Sequence, residues 1–389
     1  MKGKRLFGAA AIAAAFAAAA AASCGRSPHP SFVEGCCRIA PLDCPLVRDT
    51  ADLGRLADTT FLVPLADDEA LLSAVRKLLV TSDGRYVVHD RTGVFLFAPD
   101  GRFLRRVGMQ GRGPGEYAEL ADVALDSSDT TLVLLDAAGK VLRYDLSTGR
   151  CLKRVALDWC GAPRRVDAIA PGPGGGFWIF SAQVKPSLPD EAVPTLFSFD
   201  ADGRLREGLL PTREFVLPLF CITQTAGGYF LRPVDAGNAV CRLGPELGVA
   251  FVVDFGRRAA PEGATYGDGG MQDMTGYLSS AFCKMPSCIH ATDRWLSLLY
   301  VGPGTTLRRV VCDSASGAGF ALEAPDGRTF QQTFMASDHT TFYGVLPVIS
   351  DEEAERQADP LLKLLLGRHG RFAGDGNPAI VGFRFRSVE

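Results

Sequence analysis

Tyr86-Val87-Val88-His89-Asp90-Arg91-Thr92-Gly93-Val94-Phe95-Leu96-Phe97, with Asp100-Gly101-Arg102 close behind, decides the fold of this chain. Two short runs of β-branched and aromatic residues flank a Thr-Gly turn, and Asp-Gly then supplies residues that tolerate positive φ in a tight hairpin. The same grammar returns in Leu132–Asp136, a turn at Gly139, Val141–Asp145 and Thr148-Gly149-Arg150. Asp90 and Asp136 end corresponding strands 46 residues apart. Looser echoes follow in Phe177–Phe180 with Leu196–Phe199, Tyr229–Leu231 with Ala239–Leu243, and Trp295–Tyr300 with Thr306–Val311. Thr340–Val345 opens a sixth.

Repeats of about 40–50 residues, each made of short strands joined by hairpins, read as propeller blades. One blade cannot cover both of its faces, so neighbours must stack around an axis. The fold expected is all-β, a six-bladed β-propeller with a short helical insert near the C-terminus. The insert is read from a Ser350/Glu353 capping box and a Leu-rich run that starts at Pro360 and stops at Gly367. Ile380–Phe385 is the last strand, and Thr59–Leu65 is the N-terminal strand expected to meet it and close the ring. Ala259–Gly276, rich in glycine and polar residues, reads as an inserted loop before the fifth unit.

The N-terminus carries a different signal. Met1-Lys2-Gly3-Lys4-Arg5 is cationic, and an alanine-rich apolar run extends from Leu6 to Ala22. That order matches the charged and apolar regions of a secretory signal. Ala21-Ala22-Ser23-Cys24 places a cysteine directly after small residues, as in a bacterial lipobox, although Ala21 stands where leucine is usual. Cys24 is therefore the expected lipidation site. The domains expected are a signal peptide over 1–23, a tether over 24–58 and the propeller over 59–389.

Composition narrows the partners. The formal net charge is −3, and no basic run points to nucleic acid. Beyond Ala22 no apolar stretch is long enough to span a bilayer, so membrane attachment rests on the lipid. Eleven cysteines include the near neighbours Cys36, Cys37 and Cys44, and the short-range candidates Cys151 with Cys160 and Cys283 with Cys288. In an exported chain these thiols are open to disulfide formation, with connectivity unreadable from spacing. The five histidines are scattered singly, so no metal site and no cofactor is expected.

The most distinctive loop is Gly108-Met109-Gln110-Gly111-Arg112-Gly113-Pro114-Gly115-Glu116-Tyr117, just after the Asp100-Gly101-Arg102 hairpin. With Phe61-Leu62-Val63-Pro64-Leu65 and Asn377-Pro378-Ala379-Ile380-Val381, it resembles the six-bladed β-propeller lipoproteins of Bacteroides-like bacteria. The resemblance spans about Thr59 to Phe385. It implies a fold and an envelope location, and it implies no activity. Surface-exported lipoproteins of that group carry acidic residues just after the lipid cysteine. Gly25-Arg26-Ser27-Pro28-His29 has none, which places the protein on the outer membrane facing the periplasm, with the cell surface as the alternative.

The same loop holds the candidate binding residues. Arg112 offers a bidentate partner for a carboxylate or phosphate, Glu116 an anion and Tyr117 a stacking face. The competing reading, and the preferred one, is a crossover between blades with Arg112 and Glu116 paired and Tyr117 packed. His89-Asp90 and Asp338-His339 invite an acid–base reading, but adjacent strand residues point to opposite faces. Asp90 recurs as Asp136, which favours a turn role. Pro171–Gly176 lacks the lysine and hydroxyl of a phosphate loop. No catalytic residues are assigned. The function expected is a non-catalytic, lipid-anchored envelope propeller that binds a ligand or a partner protein on one face. The alternative is a metal-assisted lyase or hydrolase in the central channel, with His89 or His339 converging on the axis.

Overall fold

Strands buried on both faces need apolar residues at every position, and the quoted runs have them. Tyr86–Asp90, Gly93–Phe97 and Phe177–Phe180 are buried at every residue. In the computed structural model, which describes residues 37–160, 164–181, 192–212, 222–225, 227–232, 238–261, 271–324, 334–348, 359–370 and 376–386, they are the middle strands of blades. Six antiparallel sheets form the six-bladed propeller. Blades 1 to 5 occupy 75–106, 120–156, 168–212, 222–253 and 284–323. Blade 6 combines Phe334–Ser337, Phe342–Leu346 and Ala379–Phe385 with the N-terminal strand Ala57–Pro64.

That last pairing closes the ring. Ala57 to Pro64 runs antiparallel to Phe385 to Ala379, so both ends of the propeller share one sheet. The apolar core lies between blades rather than within them. Leu79, Val87 and Leu96 of blade 1 pack on Val123, Leu132 and Leu134 of blade 2. Leu78, Val88 and Phe97, on the opposite face of blade 1, pack on Ala336, Tyr343 and Ile380 of blade 6.

The tripeptide Asp-Gly-Arg recurs at Asp83, Asp100, Asp202 and Asp326, and the copies at Asp100 and Asp202 work as latches between blades. Gly101 and Gly203 sit at φ 86° and 83°, where a side chain is strained. A Cβ on Gly101 would collide with the Pro64 carbonyl of blade 6, and one on Gly203 with the Ala156 carbonyl of blade 2. Each glycine carbonyl accepts a backbone bond from the neighbouring edge, from Ala66 N at 2.9 Å and Asp158 N at 2.8 Å. Asp83 serves an ordinary hairpin within blade 1, and Asp326 lies outside the described residues.

From Cys37 onward the segment expected as a tether belongs to the folded body. Cys37–Ile39 adds a parallel fifth strand to blade 4 beside Phe251–Val253. Arg38 forms an ion pair with the buried carboxylate of Asp254. Leu46 bridges to Ala321 on blade 5, and the helix Thr50–Leu56 (α1) leads into blade 6. The ring-closing strand starts at Ala57 rather than Thr59. Short exposed-edge segments cannot be recognised by periodicity, because their partner strand is two hundred residues away.

Two helices refine the expected insertions. Part of the expected loop 259–276 is helical, Met271–Ser279 (α2). The C-terminal insert contains Pro360–His369 (α3), which starts at an Asp359 N-cap and runs past Gly367 to a Gly370 cap at φ 74°. Ser350 and Glu353 lie outside the described residues. Leu361, Leu362, Leu364 and Leu365 bury against blades 5 and 6, and Arg368 reaches the carbonyls of Gly54 and Ala57. Neither short-range candidate pair is bridged: Cys151 and Cys160 are separate thiols, and Cys283 and Cys288 sit in different core clusters. Among the described residues no helix is long and apolar enough to cross a membrane.

Candidate functional site

The loop Gly108–Tyr117 is a crossover closed on itself. Gly111 N donates to Tyr117 O at 2.9 Å, and Tyr117 N donates to Met109 O at 3.1 Å. Glu116 folds back so that its carboxylate accepts from Gly113 N at 2.7 Å. It is not paired with Arg112, which extends into solvent. Tyr117 is buried in the core between blades 1 and 2, and its hydroxyl has no hydrogen-bond partner. Of the three candidate residues, therefore, Arg112 alone is exposed. Cys24 lies outside the described residues.

Asp90 and Asp136 do the same job in successive blades. Asp90 accepts from Ser73 N at 3.0 Å, Ala74 N at 2.6 Å and Thr92 N at 2.9 Å. Asp136 accepts from Ala118 N and Ala138 N, each at 2.7 Å, and from Lys140. Each carboxylate ties the turn after its own strand to the crossover entering the same blade. Burial alone would raise the Asp90 carboxyl, but the converging N–H donors from Thr92, Ala74 and Ser73 hold it below the usual range.

The histidines do not converge. His89 is buried in blade 1, and burial pushes its ring down to about 4 despite Asp122 nearby. His339 lies in the turn between the first two strands of blade 6, whereas His89 precedes the turn between the second and third strands of blade 1. His339 is exposed and bonded to Asp293 at 2.9 Å, which raises its pKa. Along the axis Lys77 Nζ bonds both oxygens of Asp122, at 2.8 and 2.9 Å, and Asp122 also accepts from Ile169 N. His290 is buried on the inner strand of blade 5, and burial takes its ring down to about 4 as well. Inner strands are further tied by Thr223 Oγ1 to Ile289 O and by Ser337 Oγ to Ala291 O. These polar groups knit inner strands together. Among the described residues no group of three or more His, Cys, Asp or Glu side chains could hold a metal ion.

A concavity opens instead where the ring closes, between blades 6 and 1. It measures about 320 Å³ and is lined chiefly by Leu72, Val75, Met335, Val345, Val348 and Pro378. Leu71 beside it is 67% exposed, an unusual position for a large apolar residue. Buried polar bonds fix its walls. Asn377 accepts from Leu72 N at 2.7 Å and donates to Ala66 O and Ala70 O at 2.6 Å each. Asp90 holds Ser73 and Ala74 from the other side. The lining comes from stretches around 72, 335–348 and 376–378, so no local motif announces it.

The fold and this cleft define a six-bladed propeller with an apolar concavity at its closure. The chain belongs to the family described as "Domain of unknown function (DUF4934)", whose profile matches residues 47–325. No curated protein matches it. Among solved structures it is similar to a candidate exported protein of Bacteroides fragilis, with 16% identity and a TM-score of 0.65 over 88% of this chain and 98% of that one. It is also similar to a DUF4221-family protein of Bacteroides vulgatus, with 9% identity and a TM-score of 0.53 over 86% and 98%. Both likenesses concern the fold.

Proposed function

We propose that this chain is an exported propeller, held to the outer membrane on its periplasmic side by a lipid on Cys24, that binds a ligand or partner protein in the cleft between blades 1 and 6. One observation carries the binding reading. The cleft is apolar and open, yet its walls are fixed by the buried carboxylate of Asp90 and the buried amide of Asn377. A preformed apolar concavity of a few hundred Å³ is what small-ligand sites offer. Its lining brings no base–nucleophile arrangement, since the Ser73 hydroxyl is bonded to the Asp90 carboxylate. The signal-like N-terminus and the likeness to a candidate exported protein support export.

Co-purification from native membranes tests both halves. Val348 is 37% exposed, so Val348→Asp should leave the melting temperature nearly unchanged while removing the bound ligand or partner. Recovery of the same species by the variant rules the cleft out. Cys24→Ala should release the chain to the soluble fraction or leave it unprocessed, and a processed, membrane-bound variant without lipid ends the lipoprotein reading.

A further inference from the structure

We infer that the outer edge of blade 2 is a second binding surface, which takes an extended acidic peptide of another protein as a fifth strand, with Arg105, Arg150 and Arg154 meeting its carboxylates. Elsewhere on the rim the chain covers its own edges. Cys37–Ile39 adds in parallel to the outer strand of blade 4, fastened by Arg38 on Asp254, and Leu46 bridges to the outer strand of blade 5. On blade 6, α3 lies against the outer strand, with His369 bonded to Thr60 Oγ1. The outer strand of blade 3 is interrupted, because Leu210 sits at φ 53° and Pro211 has no N–H to donate. That of blade 1 is four residues long, and Arg106 folds back to Thr92 O. Cys151–Ala156 on blade 2 is six residues long, and among the described residues no strand pairs with its outer side.

This open edge is cationic. Leu96 and Leu142 belong to the core between blades 1 and 2. Arg105 stands opposite Leu96 and Arg154 opposite Leu142, so both arginines share the face turned to that core. A Cβ on Gly149 would lie 3.4 Å from Arg105 Cδ, which brings the turn carrying Arg150 against the same gap. Among the described residues none of the three arginines has an ion-pair partner, and Arg105 Nε is buried without a hydrogen bond. The carboxylates of the adjoining loops are engaged, Asp145 by Ser147 and Thr148 and Glu116 by Gly113 N. A bulge between Cys151 and Lys153 leaves Leu152 outside the pairing and 59% exposed. Like charge keeps the same edge of a second copy away. A strand carrying carboxylates gains both ladder hydrogen bonds and charge-assisted pairs, with Leu152 as an apolar contact.

The test is fluorescence-anisotropy titration of the purified chain with three labelled six-residue peptides: alternating valine and glutamate, alternating valine and lysine, and the glutamate peptide N-methylated at every residue. The glutamate peptide should bind saturably and slow amide exchange within 151–156, and the lysine peptide should not bind. N-methylation removes the ladder donors, keeps the charge and should weaken binding about tenfold or more. Arg154→Gln and Arg150→Gln, both at exposed side chains, should each weaken the glutamate peptide about tenfold. Arg206→Gln on the edge of blade 3 should change nothing. No saturable binding, equal binding of the glutamate and lysine peptides, or an Arg154→Gln titration matching wild type overturns the inference. Binding that survives N-methylation, or that leaves exchange within 151–156 unchanged, marks a site for anions instead of a strand and overturns it as well. Val348→Asp should leave peptide binding intact, whatever becomes of the cleft, and its loss in that variant would place the peptide in the cleft and overturn the edge.

Discussion

The crossovers entering blades 1 and 2 are built on one device and end in opposite surfaces. Asp90 clamps the first and Asp136 the second, each through short bonds to backbone N–H groups. The crossover into blade 2 carries the glycines, the cation, the anion and the aromatic ring that look functional. It uses most of them on itself, with Glu116 on Gly113 N and Tyr117 in the core. The crossover into blade 1 looks plain, and because Asn377 holds it open from across the ring seam, it leaves an apolar cleft. Chemically suggestive side chains mark a site only when the fold leaves them unsatisfied. Here the fold leaves shape in one place and saturates chemistry in the other.

Removing the two clamps should give the largest effect. Asp90→Ala strands three backbone donors, and Asp136→Ala strands two and also breaks the ion pair with Lys140. Each should lower unfolding free energy by about 3–5 kcal/mol, read from urea midpoints. The comparison sharpens if, under native conditions, Asp90→Ala also loses cleft binding while Asp136→Ala keeps it. It breaks if both variants lose binding equally.

Acid should act unevenly on the same pair. The folded pKa values of His89 and His290 lie at about 4, below the ordinary 6.5, because burial disfavours the charged ring. The unfolded chain therefore takes up protons first as pH falls. Stability is complete above about pH 6.5 and declines through pH 4, by about 3 kcal/mol per histidine. His89 stands in blade 1, so hydrogen exchange at pH 4.5 should open blade 1 and its crossover before blade 2. Uniform opening, or a flat urea midpoint between pH 7 and 4.5, contradicts this assignment.

The smallest effects belong to the loop that looks most functional. Tyr117→Phe removes a buried hydroxyl that has no partner and should change stability by less than about 1 kcal/mol, with either no change or a gain. Arg112→Ala should stay within about 0.5 kcal/mol and leave partner recovery intact, since the side chain lies in solvent. A selective loss of partner in Arg112→Ala would move the site from the seam to the blade 2 crossover.

The sequence by itself determined the blade count, the ring closure near residue 60 and the turn role of Asp90 and Asp136. Middle strands buried on both faces must be apolar throughout, and paired hairpins repeat at a nearly fixed interval, so these features are written locally. Inner strands such as Ala168–Pro171 and Ile222–Thr225 are four residues long and carry no such period, which is why the repeats alone did not reveal them. Only the tertiary structure decided that 37–56 lies against blades 4 to 6, that Glu116 folds onto Gly113 N and leaves Arg112 in solvent, and that Val75, Met335 and Pro378 meet in a cleft. Those outcomes depend on which distant segments the closing ring brings side by side, and no local pattern of hydrophobicity or charge encodes that juxtaposition.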